Sequence, residues 1–255
     1  MTPQNRPFQS CVYLTGLTLR RLLKSRQTVV SLLLLGFAVL AVIAWSLRRE
    51  RTPEEFVQQI LLPVHILFLL PIFCLCYGAA SVSGDREEQT LVYLLVTPSP
   101  RPLIYWGKYQ AALLLSLAWT MGSLAILCRV AGSAGWESLR RFWPAILLAT
   151  LAYVSLFHLL SVIFRRATMI ALVYTLLLET ALGIMPGIVK RVTISFYTRC
   201  LVFEAGESLG IGPAGGQSPA LFLPVSGQTA IVVLIAVAAT FFLAGMWHFC
   251  RREYG

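Results

Sequence analysis

The chain has 255 residues, 57% of them hydrophobic and 13% charged, with a mean hydropathy of +0.74. A soluble domain carries about 45–50% apolar and about 25% charged residues, so charge is too sparse here to coat a water-soluble globule, and a polytopic helical membrane protein is the natural reading. The formal net charge of +10 does not indicate nucleic acid, because the basic residues gather at the ends of apolar runs; anionic lipid headgroups are the partner they fit.

In chain order, residues 8–26 come first and have helical periodicity. Phe8, Cys11, Val12, Leu19, Leu22 and Leu23 share one face and Arg20, Arg21 and Lys24 another, the pattern of a helix lying in a membrane interface. Six apolar segments follow at 28–47, 60–81, 109–128, 143–164, 168–189 and 230–249, each of 20 to 22 residues. A bilayer core of ~30 Å needs about 20 helical residues, and backbone in lipid must pair within its own segment. The expected fold is therefore all-α: six transmembrane helices plus an N-terminal interfacial helix, in one membrane domain over 1–255. The run from Thr28 is too long for a signal-peptide core and lacks a small-residue cleavage site, so it is expected to be retained as a span.

The connectors carry their own signals. Thr52-Pro53-Glu54-Glu55 reads as a helix start, with a threonine cap, proline in the first turn and acids at the positive dipole end. Arg129 to Phe142 reads as a short loop, and Arg165-Arg166-Ala167 as a tight turn between antiparallel spans. The long connector from Lys190 to Gln228 holds six glycines and three prolines and reads as a short helix followed by irregular chain. With six spans both termini share a side. That side carries 12 Lys and Arg and the other 9, which favours cytoplasmic termini.

Between the second and third segments lies the most informative stretch, GDREEQTLVYLLVTPSPRPLIYWGK, residues 84–108. Asp85, Glu87 and Glu88 surround Arg86 and present charge in several directions. Leu91, Leu94 and Leu95, at helical spacing, form a small apolar ridge suited to a groove in a partner. Pro98, Pro100 and Pro102 end any helix and stiffen the return to the membrane. On these residues alone, a coupling element and a solvated amphipathic loop are equally good readings.

The segment resembles the cytoplasmic loop between the second and third helices of type-2 ABC exporter permeases, whose pattern runs E-R-E-x-G-T-L-E-x-L-L-x-x-P-x-x-R, a few residues, then G-K. Asp85, Arg86, Glu87, Glu88, Thr90, Leu91, Leu94, Leu95, Pro98, Arg101, Gly107 and Lys108 fall on it, while Gln89 stands at the usual glycine and Val92 at the usual second acid. The resemblance implies a permease in the cell membrane that pairs with a separate ABC ATPase and with a second permease subunit, in a homodimer or heterodimer. It implies transport by alternating access, with this loop as the coupling element. The alternative from another class is a non-transporting membrane scaffold or sensor component.

The remaining chemistry is sparse. No G-x-x-x-x-G-K-[ST] phosphate cradle occurs, since Gly107-Lys108 is followed by Tyr109, so ATP hydrolysis is expected on a partner and no cofactor is called for. Glu179 is the one acid inside an apolar segment. A carboxylate at that depth costs roughly 2.5–3.5 kcal/mol on insertion scales and faces the bundle interior, so it either lines a pathway or hydrogen-bonds a neighbouring helix. His65 and His158 fit no metal array and read as helix-packing groups. Cys74 and Cys76 face opposite ways on a helix. Cys128 and Cys200 are expected near the outer face, where either the two pair in a disulfide or Cys200, unpaired, is open to reagents.

Overall fold

Backbone at membrane depth must satisfy its own hydrogen bonds, and every element among the described residues is a helix. The structure, a computed structural model, describes residues 6–47, 52–87, 100–181, 189–212 and 224–251. Helix α1 is Arg6–Leu23 and α2 is Arg26–Ser46. Helix α3 runs over 53–87 as Pro53–Phe56, a π-helical stretch Val57–Leu69, and Leu70–Glu87. Helices α4 (Arg101–Val130) and α5 (Ser133–Ile163) are the longest unbroken α-helices. Helix α6, Ala167–Val173, widens into π-helical Tyr174–Ala181; α7 is Ile194–Gly206 and α8 is Gly227–Arg251.

Five of these are long and apolar enough to cross a membrane: Arg26–Ser46, Pro53–Asp85, Arg101–Val130, Ser133–Ile163 and Gly227–Arg251. They coincide with the segments expected at 28–47, 60–81, 109–128, 143–164 and 230–249. The segment expected at 168–189 begins as α6, with an apolar helix over Ala167–Leu177, and its residues 182–188 lie outside those described.

The helices are longer than their apolar stretches. The 30 residues of α4 and 31 of α5 reach about 45 Å at ~1.5 Å per residue, well beyond the hydrocarbon. Hydropathy marks only the part at lipid depth, whereas helical hydrogen bonding carries on into the polar ends. The loop expected over Arg129–Phe142 is accordingly corrected. It shrinks to a turn at Ala131 and Gly132, where Gly132 takes φ +77°, a region open to glycine at little cost. The expected start of α3 is present: the Thr52 hydroxyl accepts from the Glu55 N–H at 3.3 Å, and Pro53 is the first helical residue. Within α3, Pro63 removes one backbone donor where the helix has already widened to π geometry.

Helix α5 is the hub. It packs against α3, α4, α6, α7 and α8, and its buried residues include Gly135, Ser138, Ala145, Ala149 and Ala152. Small side chains allow helix backbones in lipid to approach closely, so one helix can serve five neighbours. Phe142, Ile146, Tyr153 and Phe157 fill the remaining gaps at full burial or nearly so. Helix α2 is the opposite case: it touches α3 and α4 lightly and presents Val29, Val30, Leu32, Leu33 and Phe37 outward.

Polar residues cross-link the bundle interior. The His65 imidazole meets Ser123 Oγ at 3.0 Å, the His158 ring meets Ser81 Oγ at 2.7 Å, and Tyr109 and Ser155 hydroxyls lie 2.9 Å apart. Both histidines are thus packing groups between helices. Cys74 sits in the main core, and Cys76 in a separate cluster with Leu22 and Tyr77. Cys128 and Cys200 are free thiols. Cys200 is 2% exposed, against Phe196 and Ala230. The expectation that a reagent reaches it is therefore corrected: α7 folds back onto α5 and α8 and covers the thiol.

The α4–α5 turn gives a direct test. A Cβ on Gly135 would lie 2.7 Å from Cys128 Cα and 2.8 Å from its carbonyl carbon, and backbone cannot step aside as a side-chain tip can. Gly135→Ala is expected to cost roughly 1–3 kcal/mol, the usual penalty of overpacking. Gly122→Ala, with nothing within 4 Å of its Cβ, should be neutral or gain up to about 1 kcal/mol in helix propensity. Thermal unfolding in detergent distinguishes the two, and equal midpoints would contradict the close approach.

Candidate functional site

A carboxylate at a helix C-terminus meets the negative end of the dipole and needs cations nearby. Asp85 is in that position, in the last turn of α3, and is 4% exposed. Among the described residues, two cations from other helices reach it. The Arg21 guanidinium arrives from the last turn of α1, and the Lys108 ammonium from the second turn of α4. The Lys108 side chain is fully buried, whereas that of Arg21 is 28% exposed. Gly84 leaves room for this, because a Cβ there would run into the Arg21 guanidinium.

Asp85 stands in the last turn before the loop that joins α3 to α4, and Lys108 in the second turn after it. Their ion pair closes the base of that loop, and Arg21 fastens α1 to the same point. Nearby, the Thr15 hydroxyl donates to the Gly107 carbonyl at 3.3 Å. The inward face of α1 is therefore Leu14, Thr15, Thr18, Arg21 and Leu22. This revises the expected division of the helix. Arg21 leaves the solvated group of Arg20 and Lys24 for the bundle, while Val12 and Leu23 are exposed.

The start of α4 also grips α8. Arg101 donates to the Cys250 carbonyl at 3.1 Å, a cation at the negative end of α8. The Tyr105 hydroxyl donates to the Phe242 carbonyl at 3.2 Å, and Gly245 permits this, since a Cβ there would strike that hydroxyl. Tyr105 also packs beside His158, Phe242 and Phe249.

Of the twelve residues on the loop pattern, the structure brings Asp85, Gly107 and Lys108 together and sets Arg101 on α8. Arg86 and Glu87 continue α3 in backbone; their side chains, and Glu88, Thr90, Leu91, Leu94, Leu95 and Pro98, lie outside those described. Thr15 and Tyr105 join the site without having been singled out from sequence, and Arg21, read there only as part of a basic face, joins it too. The available signal was the spacing of Thr18, Arg21 and Leu22 along one helix face.

Glu179 lies far along the chain from this cluster and is fully buried. Its carboxylate accepts from the Ile194 N–H at 3.2 Å, the Ser195 N–H at 3.1 Å and the Tyr174 hydroxyl at 3.2 Å. Those N–H groups are the first two of α7, whose next free donor, on Phe196, is taken by Thr193 Oγ1 at 3.3 Å. Glu179 therefore caps the N-terminus of α7, with its carboxyl oxygens accepting from the first two free N–H groups. Further along α7, burial lowers the pKa of Arg199, with Tyr153 and Glu179 acting in the opposite sense. A similar cap was missed from sequence: the Glu204 carboxylate accepts from the Gly227 N–H at the start of α8.

The sequence model for the ABC-2 family transporter proteins matches residues 16–254. The chain belongs to this family. A comparison with curated proteins found no match. The chain is thus an ABC transporter permease and an integral membrane protein with several transmembrane helices; members of the family are membrane components rather than ATPases and normally pair with an ABC ATPase.

In this permease the Asp85 cluster and the Glu179 cap yield separate expectations. Asp85→Ala strands the buried Lys108 charge and should cost roughly 3–5 kcal/mol, as breaking a buried pair does. Adding Lys108→Met should restore most of that loss, and a neutral Asp85→Ala would remove the clamp from consideration. Glu179→Leu orphans two buried N–H groups at roughly 1–3 kcal/mol each, and Glu179→Gln should fall between it and the parent. Unfolding midpoints in detergent report all four variants, and an unchanged midpoint for Glu179→Leu would exclude the capping role.

Proposed function

We propose that this permease is the membrane half of an ATP-driven exporter, moving its substrate by alternating access under the drive of a separate ABC ATPase. The observation that carries the reading is the Arg21–Asp85–Lys108 cluster at the base of the 84–108 loop. A force applied to that loop from outside the bundle meets α1, α3 and α4 at one charged point, and through Arg101 and Tyr105 it also meets α8. Rigid helices fastened at a common point move together, which is what a switch between inward and outward access requires. In this reading Asp85 and Lys108 transmit the push inside the chain. Glu87, Glu88 and the ridge of Leu91, Leu94 and Leu95 face the ATPase.

The proposal includes the finer architecture. Six spans, the fifth of them over 168–189, form one domain across 1–255, and a second permease subunit, identical or related, completes the pathway. Helix α1 lies in the interface, supported by exposed Val12, Tyr13 and Leu17 beside exposed Arg20 and Lys24. Both termini face the cytoplasm of a cell membrane, supported by the distribution of 12 against 9 basic residues. Glu179, bound into the cap of α7, lines a pathway only if that cap opens during the cycle.

The permease is expected to co-purify with an ABC ATPase, and Glu87→Ala with Glu88→Ala to uncouple hydrolysis from transport while assembly persists. Coupling equal to the parent would sink the role of the loop, and purification without any ATPase would favour the scaffold reading. For orientation, an impermeant thiol reagent on intact cells should label Arg140→Cys, whereas Cys250 should react only after permeabilisation. The reverse pattern inverts the topology.

A further inference from the structure

Helix α8 ends in a surface unlike its apolar flank. Between its last turn and the end of α5 lies a concave space of about 520 Å³, lined by Ile163, Trp247, His248 and Arg251. The Arg251 guanidinium lies over the Trp247 ring, 4.5 Å from its centroid, and Trp247 is 57% exposed. Arg165 and Arg166 follow Ile163 within three residues, in the exposed turn that ends α5. Among the described residues no acid lines this space. The groove therefore has apolar walls and a cationic rim with an aromatic residue at the boundary.

The opposite end of α5 offers a useful contrast. A space of about 570 Å³ is lined there by Ser133, Trp136, Glu137, Arg140 and Arg141. It is larger and also basic, yet it contains an acid, and Arg141 is already paired with Glu137 at 2.9 Å. Its charge is partly spent within the chain, whereas the rim of the α8 groove has no carboxylate among its lining residues.

We propose that the groove between the ends of α5 and α8 binds an anionic phospholipid, with the phosphate against Arg251 and His248 and the first acyl methylenes along Ile163 and Trp247. Basic pockets between membrane helices hold anionic headgroups by charge, and a tryptophan at the interface suits the boundary between headgroup and chain. The orientation proposed above decides only which leaflet supplies the lipid; binding itself does not depend on it, nor on an ATPase.

The test uses the purified full-length permease in neutral detergent, titrated with dioleoyl phosphatidylglycerol, dioleoyl phosphatidylcholine or inorganic phosphate. Binding is read by native mass spectrometry and by the shift in unfolding midpoint. The expected result is retention of phosphatidylglycerol but not phosphatidylcholine, weakened roughly five-fold by Arg251→Gln, as one lost surface cation implies. Arg251→Lys should bind like the parent, and Arg140→Gln at the other end of α5 should change nothing. Equal binding of the two lipids, an equal effect of phosphate alone, or full retention in Arg251→Gln would each overturn the proposal. Should Arg251→Gln fail to fold, the comparison of the two lipids on the parent protein still decides.

Discussion

A single buried carboxylate organises one end of this bundle. Asp85 could not sit at a helix C-terminus, out of water, without compensation, and the two cations that compensate it come from different helices. Electrostatics thereby does what hydrophobic packing in lipid cannot: it tells α1, α3 and α4 where to meet. Lipid tails are as apolar as leucine, so apolar faces alone give membrane helices little reason to prefer one register over another. A charge that must be neutralised sets the register at one point, and α5 with its small residues then aligns the rest.

The same logic recurs at helix ends. Glu179 meets the first N–H groups of α7, Glu204 meets that of α8, and Arg101 meets a carbonyl at the other end of α8. Free backbone groups at a helix terminus are a liability wherever water is scarce, and here the few charged side chains are spent on them. In a composition with only 13% charged residues, these three are thus committed to helix ends. The acid inside an apolar segment is explained by this local need: its three donors are already in place.

Much of this was legible in the amino-acid order. Apolar runs of about 20 residues located five long helices, because membrane thickness imposes that length. The Thr52 cap and the turn at Arg165-Arg166 could be read directly, since their signals are local. What escaped was either non-local or outside the hydrocarbon. The polar start of α5 looked like loop, because hydropathy does not register a helix that continues beyond lipid. Arg21 looked solvated, because nothing near it in sequence reveals Asp85, 64 positions away. Cys200 looked accessible, because its cover comes from helices distant in the chain.

The strap from Glu204 to Gly227 has a consequence for variation. With the Ile211 N–H held by the Gly206 carbonyl at 3.1 Å as well, both described ends of the connector between α7 and α8 are fastened to α7. Chain inserted between fixed anchors costs little, roughly 0.6 kcal/mol for each doubling of length. A change of chain length between these two anchors therefore carries a small entropic cost, and the registration of α7 against α8 is set by the anchors rather than by the number of residues that joins them.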